Sequence, residues 1–189
     1  MKYNPVQFKL RIMKKLLIFL YCFFCASLMS LEPCPDNPEE KWDNCTGSYQ
    51  YASGETYSGD WKDNLFHGKG IFLYENGDRY VGDFEKDLPH GQGTYQYKNG
   101  DLYVGGWYLG KRNGEGTYAH SVGLWESDLY VGGFKEDKKN GYGIYTYTDG
   151  VKYMGEFKND MKEGKGKYLF LDGSTKELSC TKDKCTEVN

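Results

Sequence analysis

Residues 80–100 read Tyr80-Val81-Gly82-Asp83-Phe84-Glu85-Lys86-Asp87-Leu88-Pro89-His90-Gly91-Gln92-Gly93-Thr94-Tyr95-Gln96-Tyr97-Lys98-Asn99-Gly100, and this phrase recurs along most of the chain. Its opening returns as Tyr57-Ser-Gly59-Asp-Trp61, Tyr103-Val-Gly105-Gly-Trp107, Tyr130-Val-Gly132-Gly-Phe134 and Tyr153-Met-Gly155-Glu-Phe157, at spacings of 23, 23, 27 and 23. Each opening leads to a Gly-x-Gly, the first at Gly68/Gly70 and the last at Gly164/Gly166, and then to one or two aromatic residues. A half unit, Gly47-Ser-Tyr49-Gln-Tyr51, comes first, so one half and five full units span residues 47–173. Self-similarity at this period is the signature of a repeat architecture in which stacking neighbours supply the burial that one unit lacks.

Most units close on Asn76-Gly77, Asn99-Gly100, Asp149-Gly150 or Asp172-Gly173, between short runs rich in Tyr, Phe and Val. Asn-Gly and Asp-Gly supply the positive φ of tight turns, so each unit reads as a β-hairpin. A two-residue turn at Asn76-Gly77 would set Tyr74 against Arg79 and split the aromatic set between faces, because a one-residue slip inverts every side chain. The register expected instead is a three-residue turn with a glycine bulge, pairing Tyr74 with Tyr80, Phe72 with Gly82 and Gly70 with Phe84. It gathers Tyr, Phe, Trp and Gly on one face, lays rings over glycines, and leaves Lys69, Asp83, Thr94, Gln96 and Lys98 on a polar face.

The recurring Tyr-x-Gly-x-Trp/Phe, Gly-x-Gly and aromatic pair resemble the MORN repeat, the membrane occupation and recognition nexus. The resemblance implies an all-β fold: a single-layer, twisted antiparallel sheet of tandem β-hairpins, extended as an open solenoid or ribbon. It also implies roles in protein interaction, with a disputed link to phospholipids. The third repeat departs from the pattern through a four-residue insertion within Ala119 to Leu129 and the loss of its Asn-Gly turn.

Composition agrees with a sheet. All 25 glycines and 26 of the 32 aromatic residues lie beyond residue 30. Glycine is about 1 kcal/mol worse than alanine within a helix, which argues against a helix-rich fold. No period of three supports collagen, and the aromatic content argues against a wholly disordered chain. The net charge of -3 hides a division: five of the 24 basic residues and no acidic one fall within 1–30, leaving 19 basic against 27 acidic residues, or -8, in 31–189. An acidic body argues against nucleic acid, whose binding rests on cations neutralising phosphates. It also weakens anionic membrane binding, which draws on polybasic segments.

The basic stretch precedes thirteen uncharged residues, Leu16 to Leu28, and Met29-Ser30-Leu31-Glu32-Pro33 follows. That is the outline of a secretory signal peptide over 1–30, with Met13 an alternative start. The alternative is an uncleaved anchor, but about 20 Å of apolar helix falls short of the roughly 30 Å hydrocarbon core. The expected location is therefore exported, periplasmic or secreted. Four cysteines remain beyond the leader, Cys34, Cys45, Cys180 and Cys185, with no Cys-x-x-Cys among them. Three pairings are open to four cysteines. On the ribbon that the resemblance implies, residues 31–46 cap one edge and 174–189 the other. Ten or more strands then hold the caps roughly 50 Å apart, beyond the reach of a disulfide, so Cys34 is expected to pair with Cys45 and Cys180 with Cys185.

Catalytic readings find little support. His67 and His90 share a repeat position that later units fill with Asn113, Asn140 and Glu163, and His120 lies in the insertion without ligand spacing around it. Asp60, Asp83 and Glu156 share one strand position expected to face water, unlike the paired carboxyls of a concave glycosidase site. No nucleophile elbow or phosphate-binding loop appears, so neither enzyme activity nor a cofactor is expected. The leading expectation is an exported scaffold that binds a protein partner at the cell envelope, the alternative a glycan or cell-wall binder using the aromatic groove. Tyr97, Trp125 and Tyr147 are the candidate interaction surface, and Trp125 alone is unexplained by the repeat.

Overall fold

The computed structural model describes residues 31–37, 39–120 and 128–188; the expected signal peptide lies outside the described residues. Residues Glu32–Asn189 form one compact unit. Its described residues contain no helix, and their fourteen strands pair in sequence order into one open sheet. They are β1 (Glu32–Pro33), β2 (Cys45–Gln50), β3 (Thr56–Lys62), β4 (Leu65–Leu73), β5 (Arg79–Glu85), β6 (Leu88–Gln96), β7 (Leu102–Tyr108), β8 (Lys111–Ala119), β9 (Leu129–Lys135), β10 (Lys138–Thr146), β11 (Lys152–Lys158), β12 (Met161–Leu169), β13 (Thr175–Thr181) and β14 (Lys184–Glu187). Every pairing is antiparallel except β1 with β2.

Two kinds of turn alternate. The Asn-Gly connections are three-residue turns with a glycine bulge, as expected: Gly77 N donates to Tyr74 O at 3.0 Å, Tyr74 N to Asp78 O at 3.0 Å, and Gly77 has φ of +91°. The register, however, differs from expectation by two residues. Phe72 lies opposite Tyr80, Gly70 opposite Gly82 and Gly68 opposite Phe84, because a three-residue connection sets Tyr74 against Asp78 rather than Tyr80. A two-residue slip preserves the face of every side chain, so the aromatic face survives the correction.

The other connections are two-residue turns with both φ positive, as at Asp63 (+55°) and Asn64 (+63°), and at Lys86 (+50°) and Asp87 (+67°). They carry a staple to the preceding repeat. Asp87 N donates to Phe66 O at 3.1 Å, and its carboxylate accepts the Phe66 N–H at 2.7 Å. The same pair of bonds joins Asp137 to Arg112, Asp160 to Lys139 and Asp183 to Lys162. At the remaining junction Pro89 has no N–H to donate, and the turn there is Leu109-Gly110 without a carboxylate. Asp87→Ala is expected to cost about 1.5 kcal/mol, the value of a charge-assisted hydrogen bond, while Gly110→Asp gains no such bond; urea denaturation of the two variants checks the contrast.

The core is one layer of rings on the aromatic face. Tyr57, Tyr80, Tyr103, Tyr130 and Tyr153 are at most 1% exposed. Each lies over a pair of facing glycines; a Cβ added at Gly93 would stand 2.3 Å from the Tyr80 hydroxyl. The hydroxyls donate to the carbonyl three residues on, at Asp60 (2.8 Å), Asp83 (2.9 Å), Gly106 (2.9 Å), Gly133 (3.0 Å) and Glu156 (3.5 Å). Edge-to-face contacts of 5.0–5.4 Å then run without a break from Trp61 through Tyr57, Phe84, Tyr80, Trp107, Tyr103, Phe134, Tyr130 and Phe157 to Tyr153.

The opposite face is less polar than expected. A directly paired row, Ile71, Val81, Thr94, Val104, Thr117, Val131 and Ile144, crosses it, with Val104 46% and Val131 44% exposed. The acids expected to face water there also have a structural task. Each long strand bulges by two residues before its second glycine, and Asp60 and Asp83 accept the freed N–H groups of Lys69 (2.9 Å) and Gln92 (3.0 Å).

Both edges are stapled by disulfides, Cys34–Cys45 and Cys180–Cys185. Trp42 packs on Trp61 at 4.8 Å over the first edge. Residues 175–187 continue the sheet as a further hairpin, with Cys180 directly opposite Cys185. The insertion leaves the pairing of β8 with β9 in unbroken register from Gly114–Phe134 to Ala119–Leu129.

Candidate functional site

The partly exposed rings of the aromatic face form two rows. Tyr49, Phe72, Tyr95, Tyr118, Tyr145 and Tyr168 end the strands, and Tyr51, Tyr74, Tyr97, His120, Tyr147 and Phe170 follow two residues later at the mouths of the turns. Alternation along a strand puts both rows on one face. Tyr97 is half-buried, 4.6 Å from Tyr95 and 5.9 Å from Tyr118. Tyr147 is half-buried, 4.8 Å from Tyr145 and 6.3 Å from Tyr168. The structure therefore places Tyr97 and Tyr147 in one row with His120 between them. Trp125 lies outside the described residues.

A third row was not found by reading the sequence. The residue two positions before each Gly-x-Gly faces the same groove, and it is Phe66, Pro89, Arg112, Lys139 and Lys162 in successive repeats. The cations replace the apolar filler with ring contacts. Arg112 lies over Tyr103, Tyr118 and Phe134 at 5.3–5.6 Å, Lys139 over Tyr130, Tyr145 and Phe157 at 4.6–5.7 Å, and Lys162 over Tyr147, Tyr153 and Tyr168 at 4.8–5.4 Å. A cation over a ring face is attracted by the ring quadrupole. The spacings of 27 and 23 between these residues repeat those of the tyrosines, which is the signal in the sequence that marks them.

Their electrostatics differ. Arg112 donates to the Asp137 carboxylate at 3.3 Å and to its carbonyl at 2.6 Å. Lys162 donates to the Tyr168 hydroxyl at 2.8 Å; burial works to lower its pKa, but hydrogen bonding to Tyr147 and Tyr168 outweighs it and the ammonium is held above its ordinary range. Lys139 is lowered by burial. Burial likewise raises Tyr97, Tyr147 and Tyr103, the last to about 12. Tyr95, Tyr118 and Tyr145 are raised by burial and by donating to Asp78 (2.8 Å), Asp101 (2.8 Å) and Asp128 (2.6 Å). These tyrosines stay protonated as neutral donors.

Several cavities open on this groove, among them one of about 610 Å³ at its C-terminal end beside Tyr147, Tyr168 and Phe170, and two smaller ones. One of about 290 Å³ is lined by Arg112, Tyr118, His120, Tyr130, Lys139 and Asp160, among others. The other, of about 260 Å³, lies at the N-terminal edge among Glu40, Trp42, Tyr49, Tyr51, Trp61 and Asn64. His67 and His90 belong to the opposite face, with His67 paired to Asp60 and His90 to Asp83. Among the described residues no group of three or more His, Cys, Asp or Glu side chains is placed to hold a metal ion.

A family model described as the MORN repeat matches residues 57–79, 80–102, 103–124, 130–152 and 153–175. No curated protein matches. Among solved structures, the TCP domain of SAS-4 (dCPAP) of Drosophila melanogaster, in complex with a proline-rich motif of Ana2 (dSTIL), is 12% identical, with 81% of this chain and 99% of that chain covered and a TM-score of 0.24.

Proposed function

This chain belongs to the MORN repeat family, and from that premise we propose that it is a non-catalytic exported module whose aromatic groove receives a protein partner at the cell envelope. The observation that carries the reading is the groove itself, two rows of partly exposed rings held by a rigid layer of buried tyrosines. Aromatic anchors on a rigid support are the side chains that dominate protein interfaces. Export is supported by the two disulfides, which persist in oxidising compartments. An acidic body of -8 over residues 31–189 favours a protein partner over anionic lipid.

Crosslinking in the native envelope followed by mass spectrometry tests the proposal. Specific adducts are expected on the groove, reduced by about tenfold or more in the Tyr97→Ala/Tyr147→Ala double variant. No groove adduct, or adducts untouched by the double variant, would reject it. A glycan partner is the second reading, favoured by the 290 Å³ cavity, where the cations of Arg112 and Lys139 and the carboxylate of Asp160 surround Tyr118 and Tyr130. Retention on insoluble peptidoglycan, lost in Tyr118→Ala at that cavity, would put that reading first.

A further inference from the structure

The groove holds cations over its rings in the last three repeats, and in the N-terminal half the same position is apolar. In the third, fourth and fifth repeats the chain supplies the cation as Arg112, Lys139 and Lys162, each over three rings. Trp42 occupies the equivalent position for the N-terminal half unit. Its N–H donates to the Asn64 side chain at 2.7 Å and its carbonyl accepts the Asn64 N–H at 2.8 Å, the two bonds that join Phe66 to Asp87. Trp42 thus stands where a cation or an apolar filler stands in the other repeats, and beside it is a cavity of about 260 Å³.

That cavity is walled by π-systems. Trp42 and Trp61 meet at 4.8 Å and 89°, Trp42 and Tyr49 at 6.3 Å and 86°, and Tyr49 and Tyr51 at 4.8 Å and 74°. Tyr49 is 43% exposed, so the site is open to solvent. Among the described residues cation–ring contacts are confined to Arg112, Lys139 and Lys162, and nearby Lys41 is committed to Asp63. Glu40 contributes a carboxylate to the lining, within a body that is acidic overall.

We propose that Trp42, Tyr49, Tyr51 and Trp61, with Glu40, form a cage for an alkylated ammonium group, whether of a choline-like molecule or of a methylated lysine. Aromatic rings attract positive charge, Trp42 and Tyr49, perpendicular at 6.3 Å, offer two of them at the open side, and the exposed Glu40 on the lining adds a negative charge. The chain's own ammonium groups at Lys139 and Lys162 are tethered over their rings by the backbone, whereas a free primary ammonium has no tether and, on leaving water, needs acceptors for three N–H groups. An ammonium sheathed in methyl groups makes no such demand and is less costly to remove from water. The site lies at the N-terminal end of the same groove and takes no residue from Tyr97 or Tyr147, so its test does not depend on that reading.

The four indole N–H resonances of the oxidised protein provide the readout. Choline and a trimethyl-lysine peptide are titrated alongside 3,3-dimethylbutan-1-ol, which has the shape of choline without its charge. Saturable shifts of Trp42 and Trp61, with Trp107 unmoved, are expected for at least one ammonium ligand, with affinity about tenfold or more above the neutral isostere. The tighter of the two ligands identifies the source of the head group. Tyr51→Leu is expected to abolish the shifts, and Glu40→Gln, at an exposed position that leaves the core intact, to weaken them severalfold. The absence of saturable shifts, equal binding of the neutral isostere, or binding unchanged in both variants would overturn the proposal.

Discussion

Tyr103→Ala is expected to destabilise the protein by about 4 kcal/mol, the range for truncating a large buried aromatic side chain. Tyr103 is fully buried and sits midway along the chain of rings, edge-on to Trp107 at 5.3 Å and Phe134 at 5.0 Å and beneath Arg112 at 5.6 Å. Its loss removes the layer joining the second and third repeats to the fourth and fifth. Because repeat proteins are held by nearest-neighbour contacts, the variant should also unfold in two steps where the parent unfolds in one. Tyr103→Phe separates ring from hydroxyl. It keeps every ring contact and loses only the 2.9 Å bond to the Gly106 carbonyl, for about 1 kcal/mol. Thermal and urea unfolding followed by circular dichroism measures both, and equal costs for the two variants would contradict a core built on ring packing.

Gly82→Ala is expected to cost about 3 kcal/mol, at the upper end of overpacking, although it adds a single methyl group. The new Cβ would stand 2.5 Å from the Gly93 Cα, 2.6 Å from the Gln92 carbonyl and 2.6 Å from the Tyr80 hydroxyl. Two of these atoms are backbone of the paired strand, so relief requires the strands to part or Tyr80 to leave its place. Gly77→Ala is the companion measurement. At φ of +91° it carries conformational strain, but its Cβ would meet only the flexible Lys98 side chain at 3.4 Å, and a cost of about 1–2 kcal/mol is expected. If Gly82→Ala melted no earlier than Gly77→Ala, the facing glycines would not be the seat of the tyrosine layer.

These positions also show why part of the architecture was legible beforehand. Tyr80, Gly82 and Phe84 recur with a period of two inside a period of 23, so one reading yields both the alternation of faces and the stacking of units. The turn at Asn76-Gly77 was legible in type and misread in register, because its type limits where the strands begin but the closing pair, Tyr74 with Asp78, depends on counting its hydrogen bonds. The turns at Lys86-Asp87 and Asn159-Asp160 lack glycine, and nothing in such dipeptides alone announces two successive residues with positive φ. They are held there by bonds to Phe66 and Lys139 of the preceding repeat, partners 21 residues away that local propensity does not contain.

The candidate site divides in the same way. Tyr97 and Tyr147 were legible because their place in the repeat determines their face. Arg112, Lys139 and Lys162 stand six residues before Tyr118, Tyr145 and Tyr168, so alternation puts them on the ring face, but residue type alone reads a cation as reaching for solvent and does not announce that it lies over rings. The N-terminal cage depends on Trp42, which lies outside the recurring phrase and reaches its repeat-equivalent place only through the bonds to Asn64.

The sequence by itself determined that this protein is an open sheet of stacked hairpins with one aromatic face, because periodicity in residue type needs only the geometry of a strand and of a tight turn. Tertiary structure alone decided the register, the staples between repeats and the seating of cations over the groove's rings. The register rests on turn bonds such as Tyr74 N to Asp78 O, and the staples and ring contacts on partners twenty or more residues apart, which exist only once neighbouring repeats have stacked.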